Sequence, residues 1–142
     1  MTDFSKSKIR IKLDPKKFEM EVAKELRRRM LKIAIELEGY VKKTLSTSNL
    51  KGTNPSKAGE APHAGTGNLR NSITHQVKKD GKDVVAIYGS MKGPATAYAK
   101  RLELGFVGVD SAGRRYNMEP RPFLRPAYRK NKRRIIKIIS KG

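Results

Sequence analysis

From Phe18 to Leu45 the apolar residues Phe18, Val22, Leu26, Met30, Ile33, Leu37, Val41 and Leu45 recur every three or four positions. That is the period of one face of an α-helix. A stripe sustained over so long a segment commits it to one amphipathic helix, and the rest of the chain must be built to cover its apolar side. Asp14-Pro15 supplies an N-cap followed by a first-turn proline, so the helix is expected over 15–46. Glu25→Arg29 and Glu38→Lys42 fall at i,i+4 on its outer side. Such a helix spans about 48 Å, whereas a compact globule of this length is only about 37 Å across. It therefore either bends at Gly39, the weakest helix former in the stripe, or packs against a neighbouring chain, which is the favoured expectation.

The remaining elements are shorter. Ile9, Ile11 and Leu13 alternate with Lys8, Arg10 and Lys12, the pattern of a strand with one buried face, in an N-terminal arm over 1–14. Residues 47–65 are rich in Gly, Pro, Ser and Asn and are expected to form a mobile loop. Two strand-like runs flank Asp80-Gly81-Lys82 as a hairpin, with Val84, Ala86 and Tyr88, or else Val85 and Ile87, as its apolar face. A short helix is expected from Ala95 to Leu104, closed by Gly105, and then a second hairpin about Ser111–Gly113. Over 122–140 Leu124, Ala127, Tyr128, Ile135, Ile138 and Ile139 share one arc of a basic amphipathic helix. The expected class is α+β in a single domain over 1–142, with a long N-terminal and a C-terminal helix packed on a small antiparallel sheet.

Charge narrows the partners. The formal net charge of +20 favours polyanions or acidic protein surfaces. The excess is concentrated late, since residues 91–142 carry 14 Lys/Arg against 3 Asp/Glu. Arg129, Lys130, Lys132, Arg133, Arg134 and Lys137 are candidate contacts to DNA or to an acidic partner. With only Tyr128 to stack on bases in this helix, any nucleic-acid contact is expected to be blind to sequence. There are no cysteines, which excludes disulfides and thiolate metal sites. The N-terminus lacks the apolar core of a secretory signal, and no run is long enough to span a bilayer.

Catalytic signatures are missing. The glycines at Gly65 and Gly67 suggest a phosphate loop, but Asn68 stands where a Walker lysine is needed, and a dinucleotide fingerprint lacks its third glycine, with Arg70 at that place. The alternative is a tight turn capping one turn of helix, with Thr66 or Asn68 as N-cap. His63 and His75 have neither ligand spacing nor a carboxylate pair beside them. Glu103, between Leu102 and Leu104, is either a shielded carboxylate or, preferably, the salt-bridge partner of an arginine in this or an adjacent chain. No enzyme, cofactor or metal is expected.

Three segments occur in order after the long helix: TGNLRNSI (66–73), YAKRLELG (98–105) and PRPFLRPAY (120–128). This succession resembles the head-to-tail joining, or tail-completion, family of long-tailed bacteriophages, with its TGxLRxSI, YAxxxExG and PFLRPA segments. The matching positions are Thr66, Gly67, Leu69, Arg70, Ser72 and Ile73; Tyr98, Ala99, Glu103 and Gly105; and Pro122, Phe123, Leu124, Arg125, Pro126 and Ala127. After the second segment's glycine this chain carries Phe106, where the family often has a small hydroxyl residue.

The resemblance implies a non-enzymatic structural virion protein of the phage neck, made in the bacterial host cytoplasm. It implies a six- or twelve-fold ring of identical copies between the portal-side connector and the tail terminator or tail tube. Genomic double-stranded DNA passes through the ring, and no membrane is involved. Leu69 and Ile73 are expected to pack inward, and Arg70 to reach Glu103 or a neighbour's carboxylate. The alternatives are a sequence-nonspecific nucleic-acid-binding protein and a tail terminator one layer further down.

Overall fold

The computed structural model describes residues 6–12, 20–46, 67–81, 83–109 and 111–141. The apolar stripe forms α1 (Met20–Ser46), which continues through Gly39 without interruption. Met30, Ile33, Ala34, Leu37, Val41 and Leu45 are all at most 1% exposed, so the chain itself covers this face from Met30 onward. Burying each of the larger side chains contributes about 1.5–3 kcal/mol. Asp14, Pro15 and Phe18 lie outside the described residues, as does the expected loop over 47–65. Both anticipated pairs form: Glu25 with Arg29 at 3.2 Å and Glu38 with Lys42 at 2.9 Å.

Opposite α1 lies a three-stranded antiparallel sheet of β1 (Lys6–Lys12), β2 (Ile73–Asp80) and β3 (Asp83–Ser90), in the order β1-β3-β2. The hairpin turns at Gly81 (φ 59), as the Asp-Gly signal predicts. Ala86 stands between Ile9 and Val77, and Tyr88 between Ser7 and His75. The face carrying Val84, Ala86 and Tyr88 joins the α1 core. Val85 and Ile87 point the other way yet are also buried, at 0% and 1% exposure. The either-or reading of this strand is therefore corrected: as the central strand it is covered on both faces and reads as an apolar run. On the second face Arg10 reaches across β3, donating to Asp83 at 2.5 Å and to Asp80 at 2.6 Å.

Between the sheet strands and the chain's end come α2 (Asn68–Ser72), α3 (Ala95–Leu104) and the hairpin of β4 (Phe106–Val109) with β5 (Arg115–Met118). The last helix, α4 (Arg125–Lys141), packs on α1 through Ala127, Ile135 and Ile138. It begins three residues later than the sequence expectation of 122. The reason is chemical: the N–H groups of Phe123 and Leu124 are taken by a side chain from outside the helix. Arg134 donates twice to Glu36 on α1, at 2.6 and 2.7 Å. Arg29 donates to the Ile139 carbonyl at 2.7 Å, setting a cation against the negative end of the α4 dipole. Among the described residues no helix is long and apolar enough to cross a membrane.

Candidate functional site

The three motif segments converge where α2, α3 and the start of α4 meet the sheet. Glu103, in the last turn of α3, is 4% exposed. Its Oε2 accepts the N–H groups of Phe123 (2.7 Å) and Leu124 (3.0 Å), and its Oε1 accepts that of Arg125 (3.0 Å). Donors that a helix start leaves without internal partners are thus satisfied by a carboxylate, which also complements the positive end of the α4 dipole. The expected arginine partner is corrected. Arg70 is exposed on α2 and is not among the groups that bind Glu103. A carboxylate already holding three main-chain donors in a buried corner has neither room nor need for a guanidinium.

Other contacts lock the same corner. Arg121 N–H donates to the Leu102 carbonyl at 2.6 Å, and the Tyr88 hydroxyl donates to the Leu124 carbonyl at 2.8 Å. Burial pushes the Tyr88 phenol up to about 12, and the nearby Glu103 charge adds to the effect. Gly105 closes α3 with φ 79, and a Cβ there would sit 2.8 Å from the Met118 carbonyl oxygen. In this chain Phe106 follows, and its ring lies under the Arg101 guanidinium at 4.2 Å, a cation–π contact that the sequence does not signal.

In the TGNLRNSI segment Thr66 lies outside the described residues. Gly67 itself occupies the N-cap position of α2 with φ 82, so the cap position falls on neither Thr66 nor Asn68 as expected. Left-handed backbone admits glycine at no steric cost. Leu69 and Ile73 pack into the core as expected. Ser72 is buried; its hydroxyl donates to the Leu69 carbonyl at 2.6 Å and meets the Ser90 hydroxyl at 2.7 Å. Ala99, Phe123, Leu124 and Ala127 are buried, Pro122 and Pro126 are half-buried, and Tyr98 is 50% exposed. The junction is a set of satisfied structural contacts.

The surface is where the free charge lies. Arg125, Arg129, Lys130, Lys132, Arg133, Arg134 and Lys137 are all exposed along α4. Of these, Arg134 is ion-paired with Glu36, whose carboxyl it holds below the usual carboxylate range through their hydrogen bonds. Next to the first half of α4, against β1, runs a groove of about 420 Å³. Sequence reasoning missed this groove because Lys8 and Ile9 are far from α4 in the chain. On α1 Glu38 is hydrogen-bonded by both His75 and Lys42. Its partial burial works against ionisation, but these hydrogen bonds outweigh that and hold its carboxyl low. Among the described residues no cluster of acidic or histidine side chains could hold a metal ion, and His63 lies outside them. No family model, curated protein or solved structure matches this chain.

Proposed function

We propose that the protein is a structural component of a tailed-phage neck, a ring-forming subunit that joins the DNA-filled head to the tail. The observation that carries this reading is the ordered set of three motif segments, resembling the head-to-tail joining family, whose residues meet at one corner. Glu103 of the second segment holds Phe123, Leu124 and Arg125 of the third, and Ser72 of the first is bound to Ser90 at the end of β3. A motif residue consumed in holding helices together has a scaffold's chemistry, and a scaffold is what a ring subunit supplies.

Its surface suits assembly. The β4–β5 hairpin exposes Val107 (79%) and Val109 (57%), and α1 exposes Leu31 (42%) and Ile35 (49%). A head-to-tail ring needs two different surfaces on each subunit, and exposed apolar side chains on two different elements are suited to supply them. The protein acts in the virion, between the portal-side connector and the tail, after synthesis in the host cytoplasm. Deleting its gene from the phage tests the reading: free heads and free tails are expected by electron microscopy. Joined, infectious particles without the protein would refute it, as would its presence in the capsid shell.

A second reading, sequence-nonspecific nucleic-acid binding, is favoured by α4, which carries no acidic residue at all. Placement one layer further down, as a tail terminator, shares the ring and differs only in its neighbours.

A further inference from the structure

Several arginines of this chain are ion-paired. Arg10, Arg28, Arg29 and Arg134 each hold a carboxylate at 2.5–3.2 Å. Arg125 and Arg129 make no ion pair with a carboxylate among the described residues, and both line the groove between β1 and the first half of α4. Lys8 borders it through its strand, but its side chain shares the second face with Arg10 and lies in the field of Asp80. Glu103, which accepts the Arg125 N–H, is turned inward and consumed by its three main-chain donors. Cations gathered in a concave site without counter-charge repel one another, and an incoming polyanion relieves that repulsion.

The groove is more than a charge cluster. Ile9 and Tyr88 give it an apolar lining, and Tyr128 stands on its wall 37% exposed. An aromatic face beside a cationic wall is the pairing that single-stranded nucleic acids use, bases stacking while phosphates are neutralised. From Arg125 the cations continue along α4 as Arg129, Arg133 and Lys137, each four residues on. That is one charge per about 6 Å of helix. A linear track of this kind fits a polymer of charges rather than one small anion. The apolar lining and the aromatic favour bases over the carboxylates of an acidic protein.

We infer that the β1–α4 groove, through Arg125, Arg129 and Tyr128, is a binding track for the phosphodiester backbone of nucleic acid. The inference goes beyond the neck reading, and its test needs neither ring nor particle, so the two stand or fall separately.

The test uses the full chain and fluorescently labelled oligonucleotides of mixed sequence, duplex and single-stranded, titrated between about 50 and 200 mM salt. The double variant Arg125→Gln, Arg129→Gln is compared with a control of equal charge change, Lys43→Gln, Lys100→Gln. The groove variant is expected to bind at least about tenfold more weakly than the control, with the salt slope lowered by about 2. Tyr128→Ala is expected to weaken single strands more than duplex; no loss on single strands would overturn the role given to Tyr128. All variants keep the wild-type far-UV circular dichroism, because the changed side chains are exposed. Groove and control variants that bind alike would overturn the inference, as would wild-type protein that fails to bind at the lowest salt. Displacement of the oligonucleotide by polyglutamate at equal charge concentration would assign the groove to an acidic polypeptide and equally overturn it.

Discussion

Glu103 holds the Leu124 N–H at 3.0 Å across 21 residues of sequence, and through this bond the end of α3 sets where α4 begins. The same carboxylate takes the N–H groups on either side, so α4 starts inside the protein rather than in solvent. Its far end is held by Arg29 on α1. The basic helix is thus fixed at both termini while its outer face stays open.

Replacing Glu103 tests this arrangement. Glu103→Ala leaves its three main-chain donors without an acceptor in a shielded corner and is expected to cost about 3–5 kcal/mol. Glu103→Gln keeps one acceptor oxygen and is expected to cost about 1–2 kcal/mol. Urea unfolding followed by circular dichroism gives both values, and the order Ala worse than Gln is the discriminating result.

Two glycines should respond in opposite directions. Gly105 has φ 79, and a Cβ would meet the Met118 carbonyl at 2.8 Å and Pro120 Cδ at 3.0 Å. Gly105→Ala is expected to destabilise by about 2–3 kcal/mol. Gly39 sits within α1 with nothing within 4 Å of a built Cβ. Gly39→Ala is expected to stabilise by about 0.5–1 kcal/mol through helix propensity and lost unfolded-state freedom. Thermal melts of the two single variants suffice.

Alkaline titration should single out Tyr88. Its phenol is raised from the ordinary 10.0 to about 12 by burial. A raised folded value means that the neutral form is favoured in the native state, so its contribution is complete below pH 10 and lost as pH rises through 12. One of the five tyrosines is therefore expected to ionise late by phenolate absorbance. Tyr88→Phe should abolish that late step and flatten the fall of stability over the same window. At neutral pH it should cost about 1 kcal/mol for the lost bond to Leu124.

The sequence showed most where a pattern was periodic and local. The α1 stripe, the Asp-Gly hairpin, the α3 helix with its Gly105 stop and the α4 arc are read from spacing, and each forms. Boundaries shifted where a distant group intervened: α4 starts at Arg125 because Glu103 claims the residues before it. Gly67 took the cap position because the backbone there is left-handed, which no neighbouring side chain announces.

What the chain alone determined is the inventory: an amphipathic helix needing cover, strands able to supply it, and a late surplus of positive charge with no acid in the last helix. Those follow from residue type and period, which act over one or two turns. Only the tertiary structure decided the pairings. It buried Glu103 against main-chain donors rather than an arginine, covered both faces of β3, and brought Ile9 on β1 alongside Arg125 and Arg129 on α4. Hydrogen bonds and Coulomb forces depend on distance in space, and in a folded chain that distance is set by packing rather than by position in the sequence.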